Sequence, residues 1–324
     1  MSFSTHDSNS DILKLLLNKN PPPFALLHRP GASGKENIDV MIGDASVVDS
    51  LEEIDLPDKE QGSSEAIYDM LILLPYRQIS QRGFEATDDG TPLVVIDIRM
   101  QEVWKVEEVL AGIPDTQLEL TDAGFSMDDE AYEAIVREVL DKEIGRGKGA
   151  SFVLKRSFIA NITNYSIIGA LGIFKKLLTQ ETGAYWTFIV HTGERTLLGA
   201  TPEQHINLKK GTVEMNPISG TYRYSQAGPK LSEITKFLSD KKEADELYMV
   251  VDEELKMMAR VCDMGGTLDG PRLKEMSSVA HTEYFIRGRS SMGPLKILQE
   301  TMFAPSVTGS PLESAARVIL LICT

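Results

Sequence analysis

Short apolar runs separated by polar stretches predict the elements of the first third of the chain. Asp11–Leu17 has apolar residues at helical spacing and ends before three consecutive prolines, which predicts a short helix. The polar residues before it predict a frayed tail. Strands are predicted where apolar and β-branched residues cluster, at Phe24–Leu27, Ile67–Leu74 and Leu93–Ile98.

The acidic stretch Asp49–Glu65 lies between these runs and predicts a surface loop. No chemical motif occurs before about residue 125. We therefore expect residues 1–125 to form an N-terminal scaffold domain.

The pattern changes at Ser126, which has capping-box spacing to Asp129. Glu130–Ile144 then predicts a helix that ends at a run of glycines. Its apolar face would consist of Ile135, Val136, Val139 and Leu140.

Alternating strand-like and helical patterns fill the rest of the chain. Helices are predicted over Ser166–Gln180 and from just after Pro229 to about Val261, and a capping box at Ser310–Glu313 predicts a last helix. Strands are predicted at Phe152–Ile159, Tyr185–His191, Leu197–Ala200 and His205–Leu208. Turn signals at Thr192-Gly193 and at Lys209–Gly211 predict antiparallel hairpins in this region. Strands joined by hairpins beside long helices predict an α+β fold, with antiparallel sheets packed against outer helices.

The charge of the chain excludes some classes of partner. Lys and Arg number 33 against 48 Asp and Glu, which gives a net charge of −15. Such a chain is poorly suited to neutralising nucleic-acid phosphates or to docking on anionic membranes. We therefore expect neither a nucleic-acid nor a membrane partner.

Cysteine and histidine usage gives no metal or redox motif. The two cysteines, Cys262 and Cys323, are far apart, and the five histidines have no zinc-site spacing. No apolar run reaches the roughly 18 residues that a membrane span needs, and the N-terminus lacks a signal-peptide layout. The expected compartment is the cytoplasm.

Two carboxylates in the predicted long helix are candidate metal ligands. Glu243 and Glu246 are three residues apart and project from one helical face. A hard cation such as Mg²⁺ would relieve the repulsion between them. The alternative is an ordinary solvated face, in which Lys242 and Glu246 form a helix charge pair.

Three further segments could carry chemistry. Glu203 ends a strand and a proline turn, where a carboxyl shielded from water could act as a general acid; an exposed turn glutamate is the alternative. In Asn216–Arg223, Gly220 permits close backbone approach and Thr221 offers a donor, although a plain turn has the same ingredients. His281 enters a strand-like stretch, where a structural histidine is the alternative.

The order of these segments resembles that of the chorismate-utilising enzymes. Five motifs carry the resemblance: Gly199–Glu203, Pro217–Thr221, Lys242–Glu246, the His281 segment and Ser306–Pro311. The family includes anthranilate synthase component I, aminodeoxychorismate synthases, isochorismate synthases and salicylate synthases, and the similarity covers about residues 126–319. Further segments in both halves are most similar to members that make 2-amino-2-desoxyisochorismate for phenazine biosynthesis.

The resemblance implies the reaction and the roles of individual residues. Mg²⁺ held by Glu246, with Glu243 nearby, would bind the ring carboxylate of chorismate. Glu203 would be the general acid for loss of the C4 hydroxyl, with His281 beside the reacting ring. Ammonia would attack C2, and the substrate would contact four residues: Ser219, Gly220, Thr221 and Thr308.

One departure from the family pattern concerns the nucleophile. Water-using members have an activating lysine just before the strand that corresponds to Phe152–Arg156, and this chain has Ser151 there. The resemblance therefore implies ammonia as nucleophile and 2-amino-2-desoxyisochorismate as product. Anthranilate synthase component I, which also eliminates pyruvate, is the alternative.

Family members continue beyond the position that corresponds to Thr324, and the expectation is a C-terminally truncated chorismate-binding domain over 126–324. The ammonia would come from glutamine through an amidotransferase domain or subunit, because no such domain is recognised in this sequence. Oligomerisation as a homodimer is a further expectation. A second alternative is an inactive truncated remnant.

Overall fold

A computed structural model describes residues 5–57 and 68–322, and side chains from residue 11 onwards. The α-helices are α1 Thr5–Leu16, α2 Val106–Gly112, α3 Asp129–Lys142, α4 Ile167–Gln180, α5 Leu231–Leu238, α6 Lys241–Val261, α7 Pro294–Thr301, α8 Pro305–Thr308 and α9 Leu312–Ile322. Short 3₁₀ helices span Leu51–Glu53, Tyr76–Arg82 and Ile144–Arg146.

The strands, in chain order, are β1 Phe24–His28, β2 Asn37–Val48, β3 Met70–Leu73, β4 Leu93–Lys105, β5 Leu120–Phe125, β6 Ser151–Phe152, β7 Phe158–Ile162, β8 Trp186–His191, β9 Thr196–Thr201, β10 Asn207–Lys209, β11 Thr212–Met215, β12 Ile218–Arg223, β13 Thr267–Glu275, β14 Val279–Arg289 and β15 Gly309–Ser310. The paired strands whose register is defined run antiparallel. With helices beside antiparallel sheets, the predicted α+β class is confirmed.

The chain forms two compact units, and each is discontinuous in sequence. Unit one takes its described residues from Met1–Pro75, Pro92–Ala123 and Ala160–Pro202, and unit two from Tyr76–Thr91, Gly124–Ile159 and Glu203–Thr324. The division predicted from sequence, with domains over 1–125 and 126–324, is linear. It remains a prediction about domain organisation.

Unit one is built on a six-stranded sheet of order β3-β4-β2-β1-β8-β9. The central strand β1 pairs with β2 on one side and with β8 on the other, and its first four residues are buried. Apolar side chains of α1, α2 and α4 pack with one face of the sheet in a core that includes Phe24, Ile38 and Phe174. The predicted strand at Ile67–Leu74 is observed as β3, and Ile67 lies outside the described residues.

Unit two contains a second antiparallel sheet, of order β10-β11-β14-β12, with β13 also pairing with β14. The helix α6 packs against β12 and β14. Its buried side chains, which include Val250, Met257 and Met258, contribute to the unit's core. This arrangement places the inner face of α6 beside the strand that carries Ser219, Gly220 and Thr221.

The single long helix predicted after Pro229 is wrong, because two helices occupy this region. The helix α5 ends at Leu238, and α6 begins at Lys241. Asp240 is the N-cap of α6, since its side chain accepts a hydrogen bond from the Lys242 backbone N–H at 2.8 Å. A capping aspartate inside a continuous helical pattern therefore starts a new helix.

Two predicted capping boxes are also wrong. Asp128 caps α3 by accepting from the Ala131 backbone N–H, whereas the Ser126 hydroxyl accepts from the Ser157 backbone N–H. The Ser310 hydroxyl donates to Glu253 of α6 instead of capping α9. In both cases, the serine hydroxyl forms a hydrogen bond with a residue distant in sequence instead of capping the adjacent helix.

Three other expectations differ from the structure. Residues 153–157 separate β6 from β7, so the strand predicted at Phe152–Ile159 is interrupted. Within the predicted apolar face of α3, Val139 is buried but Leu140 is exposed. The first helix begins at Thr5, inside the segment predicted to be a frayed tail, because apolar packing further along a helix can extend it through polar residues.

Candidate functional site

In the first turns of α6, two carboxylates lie near the ammonium group of Lys242. The Lys242 Nζ lies 3.2 Å from the Glu243 Oε1 and 3.7 Å from the Glu246 Oε2. The Lys242 side chain is 78% exposed, so its ammonium group can leave these carboxylates at little cost. The two carboxylates therefore lie on one helical face, as their spacing predicts, and the Lys242–Glu246 ion pair of the alternative is also present. The metal role of these residues remains a prediction.

The strand β12 orients these carboxylates from the side of the sheet. The buried Ser219 hydroxyl donates to the Glu246 Oε1 at 3.0 Å. Gly220 has a φ of 64°, and a Cβ atom there would lie 2.8 Å from the Glu243 Oε2 and 3.2 Å from the Phe237 ring. Glycine is therefore required both by the backbone conformation and by the close approach of Glu243.

Replacing Gly220 by alanine should cost more than its backbone conformation alone. Gly228 has a φ of 85°, and a Cβ atom there would have no neighbour within 4 Å, so Gly228→Ala is the matched control. We expect Gly228→Ala to lower the free energy of unfolding by about 1–2 kcal/mol. Gly220→Ala should lose about 1 kcal/mol more, because Glu243 or Phe237 must move. Urea denaturation of both variants measures the difference, and equal losses would contradict the close approach.

His281 is fixed against the same strand. Its Nδ1 lies 2.7 Å from the Gly220 carbonyl oxygen and 3.3 Å from the Thr221 Oγ1. Because a carbonyl oxygen only accepts, this geometry requires the hydrogen to be on Nδ1. The Nε2 of neutral His281 is then an acceptor. The Thr282 hydroxyl donates to the Ser219 carbonyl oxygen at 2.8 Å and strengthens the pairing of β12 with β14.

Glu203 lies in a second group of polar residues in unit two. Its Oε2 accepts a hydrogen bond of 2.6 Å from the Ser306 hydroxyl, which lies on α8. Burial raises the pKa of Glu203 to about 7, and the hydrogen bond from Ser306 opposes this rise. A carboxyl with this pKa is substantially protonated near neutral pH and can donate its proton.

Thr308 is buried, and its hydroxyl hydrogen has a backbone acceptor. The Thr308 Oγ1 donates to the Ala304 carbonyl oxygen at 2.9 Å. Its backbone carbonyl oxygen accepts from the Val153 N–H at 3.1 Å.

Of the eight predicted site residues, the structure connects six through contacts around α6 and β12, namely Ser219, Gly220, Thr221, Glu243, Glu246 and His281.

The donor set of the α6 carboxylates fits a hard cation. They already attract a primary ammonium group, and carboxylate oxygens are the ligands that Mg²⁺ prefers. Across residues 5–57 and 68–322, no three or more His, Cys, Asp or Glu side chains form a metal-binding group. Glu243 and Glu246 would therefore provide part of an octahedral shell, and water or substrate oxygens would complete it.

Sequence reasoning missed one buried acid beside the site. Glu254 is completely buried, and neither of its carboxyl oxygens has a hydrogen-bond partner in the part of the chain that the structure describes. Its pKa is raised well above the usual value, first by burial and second by the charge of Glu203. In the sequence, Glu254 is one of several charged residues on a helix, and no local signal sets it apart.

The comparisons with known proteins define the family. Residues 92–320 match the chorismate binding enzyme family, and the chain belongs to that family. It is 54% identical over 308 residues to "Anthranilate synthase, phenazine specific" of Pseudomonas chlororaphis, covering 95% of this chain and 48% of that relative. The protein of the same name from Pseudomonas fluorescens is 53% identical, with the same coverage. The chain thus spans about half the length of these curated relatives.

Solved structures confirm the fold. Anthranilate synthase component I from Streptococcus pneumoniae superposes with a TM-score of 0.68 at 20% sequence identity, covering 93% of this chain and 75% of that chain. Among the described helices, none combines the length and the apolar character that crossing a membrane requires.

Proposed function

We propose that this chain carries the chorismate-binding part of a Mg²⁺-dependent aminating enzyme of phenazine biosynthesis. Ammonia adds at C2 of chorismate, the C4 hydroxyl leaves as water, and the product is 2-amino-2-desoxyisochorismate. The names of the two relatives at 54% and 53% identity support amination and the phenazine pathway. The family match over residues 92–320 supports chorismate as the substrate.

The observation that carries this proposal is the position of the Glu203 carboxyl, which is largely shielded from water and accepts a hydrogen bond from Ser306. With a pKa of about 7, Glu203 holds a proton that it can give to the C4 oxygen as the C4–O bond breaks. The bond electrons leave with that oxygen, which departs as water. Ammonia supplies the electron pair of the new C2–N bond and then loses a proton, which restores the proton balance. Ser306 keeps the Glu203 carboxyl in one orientation.

Mg²⁺, when bound, would neutralise the ring carboxylate of chorismate and orient it. Glu243 and Glu246 would hold the ion, and the hydrogen bond from Ser219 would keep Glu246 turned towards it. Gly220 leaves room for the Glu243 carboxylate. Thr221 and His281 would face the substrate at the end of β12, and Thr308 would line it from α8.

Ser151 supports ammonia rather than water as the nucleophile, because serine at this position cannot replace an activating lysine as a base. The ammonia would come from glutamine through an amidotransferase domain or subunit. A homodimer of the complete enzyme is part of the same proposal. Anthranilate as the final product is the alternative, favoured by the names of the relatives.

Product analysis tests the proposal. The purified chain is incubated with chorismate, Mg²⁺ and ammonium, with and without a candidate amidotransferase partner, and products are identified by mass spectrometry. We expect an aminated product that retains the enolpyruvyl group. Anthranilate and free pyruvate would establish the alternative. If chorismate is not consumed under either condition, the chain is inactive on its own or the proposed reaction is wrong.

A further inference from the structure

Asn216 joins three segments of unit two. It lies between β11 and β12 and is only 2% exposed. Its backbone N–H donates to the Gln204 carbonyl oxygen at 3.1 Å. Its side-chain Nδ2 donates to the Tyr284 carbonyl oxygen at 2.8 Å and to the Glu283 Oε2 at 3.1 Å. The amide therefore uses both of its N–H donors, and one buried residue ties the Gln204 segment and the start of β12 to β14.

Hydrogen bonds to Gln204 fix the segment that carries Glu203. Residues 202–206 belong to no helix or strand, so the ladder bonds of a sheet do not hold them. Gln204 is buried, and its Nε2 donates to the Glu214 Oε1 at 3.2 Å. Together with the bond from Asn216, this contact anchors both the main chain and the side chain of Gln204. Glu203 is the adjacent residue, at a Cα distance of about 3.8 Å, so a shift of Gln204 also moves Glu203.

The same residue is linked to the strand that carries the predicted substrate contacts. The Tyr284 backbone N–H donates to the Pro217 carbonyl oxygen at 3.0 Å. Ile218 pairs with Glu283 in the register of β12 with β14. The side chain of Asn216 thus bonds to the two β14 residues that also hold the start of β12, and the predicted substrate residues of β12 follow directly. Asn216 therefore connects the segment of the proposed general acid with the strand of the proposed substrate site.

The charge of Glu283 favours an uncharged donor at position 216. Glu283 is buried, and its Oε2 lies 3.8 Å from the Lys274 Nζ and 3.1 Å from the Asn216 Nδ2. A buried carboxylate is costly unless it is paired and hydrogen-bonded. Asn216→Asp would place a second carboxylate against Glu283. Asn216→Ala would remove a donor from Glu283 and from the Tyr284 carbonyl oxygen. The asparagine amide therefore suits this position through its lack of charge as well as its shape.

We propose that Asn216 is a positioning residue for Glu203: its hydrogen bonds hold the Glu203 segment at a fixed distance from the substrate-binding residues of β12. This inference rests on the proposed function, in which Glu203 protonates the leaving oxygen of a substrate held by β12. A proton donor must lie within hydrogen-bond reach of the atom that it protonates, and a misplacement of about 1 Å can cost about 100-fold in rate. Mg²⁺ affinity should depend on Asn216 much less, because Ser219 orients Glu246.

Asn216→Ala tests this role, because it removes both side-chain hydrogen bonds and keeps the backbone N–H. We expect kcat for chorismate to fall about 10- to 100-fold, with Mg²⁺ affinity within about twofold of the wild type. Asn37→Ala is the matched control, since Asn37 lies in unit one and its Nδ2 donates to the Ser33 carbonyl oxygen at 2.6 Å. Both variants should unfold at lower urea concentration than the wild type, but Asn37→Ala should keep the wild-type kcat.

Exchanging the amide and the carboxylate tests the pairing of Asn216 with Glu283. Asn216→Asp should lower kcat at least as far as Asn216→Ala, because two carboxylates would then face each other. Glu283→Gln should stay close to the wild type, because an amide oxygen can still accept from Asn216. Asn216→Asp combined with Glu283→Gln restores an amide–carboxylate pair, so kcat should recover about tenfold over Asn216→Asp alone. No recovery in a cooperatively folded double variant would overturn the inference.

Carbon-13 NMR of protein labelled at the glutamate carboxyl carbon tests the inference without turnover. The resonance that is missing from Glu203→Gln identifies Glu203, and in the wild type it should titrate at a pH of about 7. Release of the Glu203 segment in Asn216→Ala should admit water to the carboxyl, so its resonance should titrate at lower pH. In Asn37→Ala it should titrate as in the wild type.

The outcomes distinguish the inference from the proposed function. If the chain does not consume chorismate but the titration of Glu203 shifts in Asn216→Ala, the proposed reaction is wrong and the positioning of Glu203 by Asn216 is supported. If Glu203 titrates identically in Asn216→Ala and in the wild type, Asn216 does not position Glu203 and the inference is wrong. If Asn216→Ala does not fold, Asn216→Ser takes its place in both comparisons.

Discussion

Replacing Glu203 with glutamine is expected to lower the rate of chorismate amination by about 100- to 10,000-fold, the range in which general acid catalysis contributes. The amide can still accept the hydrogen bond from Ser306, so the local packing is kept while the transferable proton is lost. The measurement is kcat for chorismate with saturating Mg²⁺ and ammonium. Chorismate affinity should change little, because in the proposed mechanism Glu203 acts on the leaving hydroxyl rather than on the ring carboxylate.

The pH dependence of the same reaction provides a second observable. As the proposed general acid, Glu203 would have to be protonated, so kcat/KM should fall as the pH rises through about 7. This decrease, the alkaline limb of the pH profile, should be absent from the residual activity of Glu203→Gln. Ser306→Ala should move the limb to higher pH, because the hydrogen bond from Ser306 lowers the pKa of Glu203. An unchanged limb in Glu203→Gln would assign the proton to another group.

The free energy of unfolding should also depend on pH through the ionisation of Glu203. Folding raises the pKa of Glu203 from 4.5 to about 7, so the folded state binds its proton more tightly than the unfolded state. The contribution of Glu203 to stability is therefore complete below about pH 4.5 and is lost as the pH rises through about 7. The change amounts to about 3 kcal/mol. Denaturation curves of Glu203→Gln should lack this component of the pH dependence.

Replacing Glu246 with glutamine is expected to weaken Mg²⁺ binding by about 100-fold or more, since even outer-shell partners of metal ligands are worth about 10- to 100-fold. Glu246 is one of the two carboxylates that converge at the start of α6, and its orientation is fixed by Ser219. Glu243→Gln should have a similar effect if it binds the metal directly, and a smaller one if it acts through water. Titration calorimetry with Mg²⁺ measures both.

Two variants on the same helix control for nonspecific charge effects. Asp252 is paired with Lys256 at 2.8 Å and is 65% exposed, so Asp252→Asn should leave Mg²⁺ affinity unchanged. Lys242→Gln should tighten binding by up to about fivefold, because an exposed competing cation is removed from both carboxylates. Equal losses in Asp252→Asn and Glu246→Gln would show that the total acidity of the chain, rather than this site, attracts the metal.

The elements with strong local patterns were predictable from sequence. The helix α4 begins one residue after its N-cap, Ser166, and β1 matches its apolar run to within one residue. The strand β2 was missed, because buried and exposed positions along Asn37–Val48 do not alternate regularly. The break at Asp240 was also missed, although an aspartate at the start of a helix is a recognisable N-cap.

The residues of the candidate site also differ in how far the sequence predicts them. Glu243 and Glu246 follow from helical spacing, and Glu203 was singled out by its place after a strand and a turn. The partners that decide their chemistry are distant in sequence: Ser219 lies 27 residues from Glu246, and Ser306 lies 103 from Glu203. Glu254 cannot be distinguished from its charged neighbours in the sequence. Tertiary packing buries its carboxyl where no hydrogen-bond partner lies within reach among the described residues.

The central claim is that unit two contains a Mg²⁺-dependent chorismate site, and chorismate binding tests it most directly. Titration calorimetry of chorismate into the wild-type chain is performed with Mg²⁺ and again with a chelator, alongside Glu246→Gln. We predict saturable binding to the wild type that requires Mg²⁺ and is lost in Glu246→Gln. Binding that is unaffected by the chelator and by Glu246→Gln, or no binding by a cooperatively folded wild-type chain, would contradict the claim.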